Sequence, residues 1–256
     1  MDKKTIVKEN YNSKILVNMW SDFIDWDKRR IGENGFLKKI LDANNCYAIF
    51  ESCLGDGCDT IYLLKEGFEV TSNDLDLEFI RKAQESARKE SVKLNITSHD
   101  WRKLDKHFIK ESFDAVLCLG NSLTYLFNKN DQIKTIKQFR KILRKDGILI
   151  IDERNYQYFL DNKQKILNGK FDYSHNYVYC GSKVKTQPTK ISKSEVVMEY
   201  KHTGTGETGH LTLYPFKKDE MIQLLKEAGF TKIKQYSDYN EKYDNKADFY
   251  TYVCVK

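Results

Sequence analysis

The sequence predicts an α/β fold with a doubly wound, mostly parallel sheet of seven strands. Short apolar runs alternate with helical patterns from residue 46 onward, and polar residues follow the ends of several runs, which is typical of such a sheet. Between Lys170 and Pro215, β-branched residues, tyrosines and turn residues instead predict a small antiparallel β lobe inserted after the fifth strand. We therefore expect a single domain over 1–256, with a helical cap at 1–45 and the lobe at 170–215.

The composition favours a packed protein without a membrane span. The 256 residues include 43 Lys+Arg and 37 Asp+Glu, a net charge of +6, and 40% are hydrophobic, which excludes general disorder. No apolar run reaches the roughly 18 residues of a membrane span, and Met1–Lys4 leads into polar residues, so we expect a soluble cytoplasmic protein. The six cysteines form no C-x-x-C pair, which indicates reduced thiols and no metal site: Cys46, Cys53, Cys58, Cys118, Cys180 and Cys254.

Apolar residues three and four positions apart predict two helices between Tyr11 and Leu41, with a break near Gly32–Gly35. Core packing accounts for most of the aromatic residues in this region. Arg29 and Arg30 are different, because they follow Trp26 and a cation beside an aromatic ring can close over a ligand.

A glycine turn follows the first predicted strand. Cys46–Glu51 is apolar, Ser52–Gly57 contains the spacing G-x-G, and Asp59–Lys65 has a helical pattern. This layout is typical of a cofactor-binding crossover. The third glycine of the dinucleotide fingerprint and the G-K-[ST] phosphate loop are both missing, which disfavours pyrophosphate binding. The G-x-G spacing alone is equally compatible with an ordinary tight turn.

The second predicted strand, Phe68–Asp74, also ends in an acid. Asp74 lies 17 residues after Gly57, near the position at which α/β folds place the carboxylate that binds ribose hydroxyls. The alternative is that Asp74 caps the helix predicted over Leu75–Glu90. Its position favours the ribose interpretation.

The remaining elements bring further polar residues to the same edge, since the carboxyl ends of parallel strands converge. The polar residues at these ends are Glu51, Asp74, Asp100, Gly120–Asn121–Ser122 and Arg154. The other predicted elements are strands at Lys93–Ser98, Phe113–Leu119 and Gly147–Ile151, a helix at 129–144, lobe strands at Tyr177–Val184, Val196–His202 and His210–Tyr214, a helix at Lys217–Ala228, and a closing strand pair at Phe230–Tyr236 and Asp248–Val255. The lobe either covers a pocket with its tyrosines (Tyr173, Tyr177, Tyr179, Tyr200, Tyr214) or decorates the sheet without a function.

Three segments carry a resemblance to a known family: Cys118–Ser122 (CLGNS), Ile151–Tyr156 (IDERNY) and His210–Pro215 (HLTLYP). With Ile24–Arg29 (IDWDKR) and the final Asp248–Phe249 strand, the chain resembles the glycine and glycine/sarcosine N-methyltransferases over nearly its whole length. The resemblance implies a Rossmann-like class I methyltransferase that uses S-adenosylmethionine and acts on a small amino acid amine such as glycine, sarcosine or dimethylglycine.

The resemblance also implies roles for individual residues. For the cofactor, Arg29 would bind the methionyl carboxylate, Gly55 would approach its backbone, Asp74 would bind the ribose, Asp100 and Trp101 would flank the adenine, and Leu119 and Trp20 would complete the site. For the substrate, Asn121 and Arg154 would bind the carboxylate, and Tyr214 with Tyr177 or Tyr179 would line the amine pocket. An ion pair of Arg154 with Glu153 or Asp152 is the structural alternative.

The sequence departs from the family pattern at four positions. Glu51 and Asp56 stand where Asp and Thr are usual, Tyr125 replaces a common His, and Glu153 replaces His or Gln. Glu153 matters most for the choice of substrate, because it adds a carboxylate beside Arg154.

Other functional classes have less support. No Ser/His/Asp set, H-E-x-x-H motif or cluster of metal ligands is present, and the five histidines are scattered. A nucleic-acid methyltransferase is disfavoured because lysines alternate with acids and no N-P-P-[YF] element follows the fourth strand. A different small amine as substrate, and a cofactor-binding protein without activity, remain as alternatives. The sequence leaves the oligomeric state open.

Overall fold

Seven strands form one sheet in the computed structural model, which describes residues 14–171 and 181–256. Its strands are β1 (Ala48–Glu51), β2 (Glu69–Asn73), β3 (Asn95–Thr97), β4 (Phe113–Cys118), β5 (Leu143–Arg154), β9 (Lys232–Ser237) and β10 (Phe249–Val255). Their order is β3-β2-β1-β4-β5-β10-β9. The ladders from β3 to β5 are parallel, and β10 runs antiparallel to both β5 and β9. The predicted doubly wound sheet is confirmed.

Helices cover both faces of this sheet. They are α1 (Lys14–Phe23), α2 (Trp26–Glu33), α3 (Phe36–Ala43), α4 (Cys58–Lys65), α5 (Leu77–Lys89), α6 (Lys129–Ile142), α7 (Tyr156–Asp161), α8 (Lys163–Leu167) and α9 (Glu220–Glu227), with short 3₁₀ helices at Trp101–Lys106 and Ser122–Tyr125. The centres of the two middle strands, Ala115–Cys118 in β4 and Ile148–Ile151 in β5, are continuous apolar runs, because helices bury both faces of a parallel sheet. No helix within the described parts of the chain has the length and apolarity that a bilayer crossing requires.

A second, three-stranded antiparallel sheet forms the lobe. It contains β6 (Val184–Ile191), β7 (Val196–His202) and β8 (Thr208–Leu213) in sequence order. One face carries alternating buried residues, among them Val196, Met198 and Leu211, which pack with residues of α1 and α7 in one apolar cluster. The alternating burial along β7 and β8 therefore identifies the face of the lobe sheet that packs against the helices.

The structure corrects several predicted boundaries. Three helices, instead of two, occupy residues 14–43, because the Asp25 side chain accepts the Lys28 N–H and starts a new helix where one continuous helix was expected. β5 begins at Leu143, four residues before its predicted start. The first lobe strand was predicted at Tyr177–Val184: residues 177–180 lie outside the described part of the chain, and the described strand begins at Val184.

Candidate cofactor and substrate site

A cavity opens at the carboxyl ends of β1, β2 and β4, where the strand order reverses direction between β1 and β4. Parallel α/β sheets bind their ligands at such a reversal. The cavity is bounded by loop residues after the strands and by aromatic residues of the helices: Trp20, Ile24, Trp26, Arg29, Ser52–Asp56, Asp59, Asp74–Asp76, Phe79, Trp101, Leu119, Gly120, Ser122 and Tyr125. The structure thus brings together six of the seven predicted cofactor residues, all except Asp100.

The glycine turn forms the floor of this cavity. Gly55 has φ +54°, and a Cβ built on it meets no atom within 4 Å, so the open space beside its backbone is available to a ligand. Gly57 has φ +85°, and a Cβ there would lie 2.9 Å from the Cβ of Ala83 in α5. The first glycine therefore leaves room for a ligand, and the second lets α5 pack against the turn.

Asp74 connects the turn to the end of β2. Its carboxylate accepts the Gly55 N–H at 2.9 Å and the Asp76 N–H at 2.9 Å, and burial raises its pKa to about 6. Asp76, two residues further on, caps α5 by accepting the Glu78 and Phe79 N–H groups. Asp74 is therefore not the helix cap that the sequence allowed as an alternative, and its carboxylate lines the cavity.

The two arginines of α2 have different environments. The Arg29 side chain is only 5% exposed, lines the cavity, and holds its guanidinium 5.0 Å from the centre of the Trp26 ring. Arg30 instead forms ion pairs with Glu33, at 2.5 Å, and with Asp59. Of these two arginines, Arg29 is the one positioned to contact a ligand in the cavity.

Aromatic rings form the walls. Trp20 stands edge-on to Phe79, with ring centres 5.9 Å apart, and contacts Tyr200 of the lobe at 6.2 Å. Trp101 is held by a 2.7 Å hydrogen bond from its indole Nε1 to the Ser52 carbonyl. Phe79 was missed by the sequence analysis. Its position in the first turn of the helix after Asp74 was the available signal, because that turn starts at the same sheet edge.

Two predicted edge residues do not line the cavity. Glu51 is 2% exposed, accepts hydrogen bonds from Thr60 and Ser72 below the turn, and has a pKa well above its usual range because of burial. The Asp100 carboxylate faces Arg102, which donates its Nε and Nη2 hydrogens and lowers the Asp100 pKa. Neither carboxylate is positioned to flank a ligand in this cavity.

Asn121, at the end of β4, lies between two residues of this cavity, Gly120 and Ser122, and Arg154, at the end of β5, lines a second cavity. The Asn121 Oδ1 atom accepts the Arg154 backbone N–H at 3.0 Å, and its Nδ2 donates to the Tyr156 hydroxyl at 2.7 Å. The Arg154 guanidinium packs 4.9 Å from the Phe249 ring centre and 5.3 Å from that of Phe159. Both side chains are at least 90% buried, with 8% and 6% exposed.

The carboxylates next to Arg154 are engaged with other donors. Asp152 accepts the N–H groups of Gly120 and Asn121, and Glu153 accepts the Tyr252 hydroxyl hydrogen at 2.7 Å. Burial raises the pKa of Glu153 to about 8, which favours its neutral form near neutral pH.

Of the predicted tyrosines, Tyr214 lies within the described residues and does not line the cavity. The Tyr214 hydroxyl donates to Glu220 at 2.6 Å, and its backbone N–H bonds to the Thr124 carbonyl at 2.8 Å. Tyr177 and Tyr179 lie outside the described residues.

Comparison with known proteins identifies the family. A methyltransferase domain model matches residues 49–147. The glycine/sarcosine N-methyltransferase of Aphanothece halophytica is 36% identical over 94% of this chain and 88% of its own length. The chain belongs to the glycine/sarcosine N-methyltransferase family. A second member, the glycine/sarcosine/dimethylglycine N-methyltransferase of Actinopolyspora halophila, is 35% identical over 94% of this chain and 41% of its own length.

The fold is also similar to that of solved methyltransferases. The chain is similar to an S-adenosylmethionine-dependent methyltransferase structure from Clostridium acetobutylicum, with a TM-score of 0.70, 18% identity, and coverage of 94% of this chain and 96% of that one. Membership of the family makes the chain an S-adenosylmethionine-dependent methyltransferase, with S-adenosylmethionine as its cofactor.

The cavity residues fit this cofactor. S-adenosylmethionine carries a sulfonium and an ammonium against one carboxylate, so it is a net cation. The cavity offers one arginine, Arg29, and the carboxylates of Asp56, Asp74 and Asp76. The open space beside Gly55 accommodates a group that approaches the backbone closely. Charge and shape therefore agree with the cofactor.

Proposed function

We propose that this enzyme transfers methyl groups from S-adenosylmethionine to the amine of glycine or of its N-methylated derivatives, sarcosine and dimethylglycine. The observation that carries this proposal is the pairing of Asn121 with Arg154, at 3.0 Å between Oδ1 and the backbone nitrogen, next to the cofactor cavity. Relatives named for glycine and sarcosine methylation support the same substrate class.

In this proposal, different cavity residues bind different parts of the cofactor. Arg29 binds the methionyl carboxylate, Asp74 binds the ribose hydroxyls as an ionised acceptor, and Gly55 contacts the cofactor through its backbone. Trp101 and Leu119 bound the adenosine part, and Trp20 closes the cavity from α1. When bound, the cofactor supplies a methyl group on a sulfonium, already activated for displacement.

The protein's own contribution is positioning. The planar Arg154 guanidinium binds the substrate carboxylate through two parallel hydrogen bonds, and the second Nδ2 hydrogen of Asn121 adds a third donor. These contacts hold the amine, two bonds away from the carboxylate carbon, toward Gly120 and Ser122 at the cavity wall. Displacement at a sulfonium requires an unprotonated amine and no general acid, so alignment supplies most of the acceleration.

Tyr177 or Tyr179 is proposed to complete the amine pocket. Tyr214 has a different role in this proposal, since its hydroxyl is bound to Glu220 and its backbone holds the turn at Ser122–Tyr125. We place the enzyme in the cytoplasm. All five cysteines of the described residues are free thiols, and cytosolic reductants keep such thiols reduced.

The test is a substrate screen read by mass spectrometry. Wild-type protein with S-adenosylmethionine is expected to methylate glycine or its derivatives and to ignore methylamine, which has no carboxylate for Arg154. Arg154→Leu should lose roughly two to three powers of ten in turnover, the equivalent of about 2 to 5 kcal/mol, while retaining affinity for S-adenosylhomocysteine. Arg154→Lys keeps the charge but not the two-pronged geometry, and most activity should still be lost.

Two results would overturn the proposal. Equal turnover of methylamine and glycine would remove the carboxylate site. Methylation of RNA or DNA with no turnover of amino acids would assign the enzyme to the nucleic-acid class, with binding that weakens steeply as salt increases.

A further inference from the structure

The carboxylate of Asp152 holds two consecutive backbone N–H groups at the border of the two sites. One oxygen, Oδ2, accepts the N–H of Gly120 at 3.0 Å, and the other, Oδ1, accepts the N–H of Asn121 at 2.6 Å. The Asp152 side chain is fully buried, at 0% exposure. It reaches these donors because Cys118 of β4 pairs with Ile151 of β5, so residue 152 lies beside the loop that leaves β4.

The turn that Asp152 holds has an unusual backbone. Gly120 has φ +70° and Asn121 has φ +64°, so both are left-handed. Successive N–H groups in such turns point toward one side and form a concave anion site. Glycine adopts this conformation readily, but a residue with a side chain persists in it only where its surroundings hold it. The buried carboxylate is the group that fills the concave side.

The two residues of this turn serve different sites. Gly120 lines the cofactor cavity, while Asn121 bonds through its side chain to the Arg154 backbone and the Tyr156 hydroxyl. The position of this one turn therefore determines where the Gly120 wall of the cavity lies and where the Asn121 side chain, a proposed substrate ligand, is held. Asp152 is the side chain that holds both of its N–H groups.

We propose that Asp152 is a positioning residue for methyl transfer, which sets the distance between cofactor and amine by fixing the Gly120–Asn121 turn. This inference rests on the proposed function. In an in-line displacement the reacting atoms must be aligned, and a misplacement of about 1 Å costs about 100-fold in rate. At position 152 the two N–H groups bond to different oxygens, so in asparagine the amide nitrogen takes the place of one acceptor, opposes that donor and displaces the turn.

The chain provides a matched control at the opposite end of the sheet. Asp114, at the start of β4, also holds two consecutive N–H groups, those of Tyr47 and Ala48, each at 2.8 Å from its Oδ2 atom. It lies at the amino end of the parallel strands, away from the cavity. Asp114→Asn keeps one oxygen for both N–H groups but places its amide nitrogen against the Arg144 Nε, which in the wild-type protein donates to Asp114 Oδ1 at 2.5 Å, so it perturbs a carboxylate network with no part of either site involved.

The experiment compares Asp152→Asn with Asp114→Asn by kcat, KM for glycine, affinity for S-adenosylhomocysteine, and melting temperature. Both variants are expected to melt at lower temperature than wild type. Only Asp152→Asn should lose kcat, by about 100-fold, with its affinity for S-adenosylhomocysteine changed by less than about threefold and its KM by less than about tenfold. A structural role alone would lower both melting temperatures and leave kcat per folded enzyme unchanged.

The possible results lead to separate conclusions. A kcat of Asp152→Asn within about threefold of wild type, or an equal loss in Asp114→Asn, overturns the positioning role. If Asp152→Asn does not fold, Asp152→Glu decides by the same thresholds, because it keeps the charge and moves it by one methylene. Wild-type inactivity on every amino acid refutes the proposed function instead, which distinguishes that failure from failure of the inference.

Discussion

The buried carboxyl group of Glu153 makes stability depend on pH in a direction that can be measured. Its Oε1 atom accepts the Tyr252 hydroxyl hydrogen at 2.7 Å, and its Oε2 atom is buried without a hydrogen-bond partner among the described residues. Burial first, and then the nearby Glu220 and Asp152 carboxylates, raise the Glu153 pKa from 4.5 to about 8. In the unfolded chain the group returns to its ordinary value.

The direction in which stability changes with pH follows from these two pKa values. Below pH 4.5 the group is protonated in both states and does not affect unfolding. Between 4.5 and about 8 the unfolded chain releases the proton and the folded protein keeps it, so stability decreases as pH rises. The loss is about 1.4 kcal/mol per pH unit. Across this window it adds up to about 5 kcal/mol.

Glu153→Gln removes this dependence and retains a carbonyl acceptor for Tyr252. Urea unfolding of both proteins at about pH 5.5 and about pH 7.5 should show the variant gaining about 2.7 kcal/mol over wild type between the two conditions, since they differ by about two pH units. Glu66→Gln, at an exposed position, is the control and should follow wild type. If the wild-type and Glu153→Gln stabilities change in parallel with pH, Glu153 is not protonated in the folded protein and the reasoning is wrong.

Three further predictions concern the cofactor cavity and use calorimetry with S-adenosylhomocysteine. Binding to wild type should weaken as pH falls below about 6, because Asp74 is then neutral, and Asp74→Asn should bind weakly without this pH dependence. Arg29→Ala should lose roughly 30-fold or more in affinity, equivalent to about 2 kcal/mol, whereas Arg30→Ala, which loses ion pairs to α2 and α4, should lose stability with little loss of affinity. Gly57→Ala should lower stability by about 1 to 3 kcal/mol, because its Cβ would lie 2.9 Å from the Cβ of Ala83, while Gly55→Ala should chiefly lower affinity. Equal losses of affinity and stability within the arginine pair, or within the glycine pair, would contradict these assignments.

The sequence could predict which strand ends meet at the site, because parallel strands place their carboxyl ends along one edge. Gly55 follows β1, Asp74 follows β2 and Leu119 follows β4, and all three line one cavity. The β-branched residues, tyrosines and turn residues between Lys170 and Pro215 were likewise sufficient to predict the separate antiparallel lobe. These predictions depend on chain order and local composition, which the sequence contains directly.

Side-chain direction was harder to predict, because it depends on local partners. Glu51 ends β1 just as Asp74 follows β2, yet it faces Thr60 and Ser72 below the glycine turn. Asp100 is bound by Arg102, only two residues away. An acid at a strand end is therefore a candidate ligand only if its face of the strand and its neighbours leave it directed into the cavity.

The same geometry explains why the proposed cofactor and substrate residues need not be close in sequence. β4 and β5 are adjacent and parallel, and Cys118 pairs with Ile151, so the residues that follow each strand share one position along the sheet edge. The loop after β4 lies against the cofactor cavity, and the end of β5 carries Arg154. Asp152 and Arg154 are two residues apart on β5, so their side chains point to the same face of the sheet. The Asn121 side chain bonds to the Arg154 backbone there. The proposed reaction depends on alignment rather than on acid–base groups. In our proposal the pairing of β4 with β5 supplies that alignment, because it places Asp152 where its carboxylate holds the Gly120–Asn121 turn between cofactor and substrate.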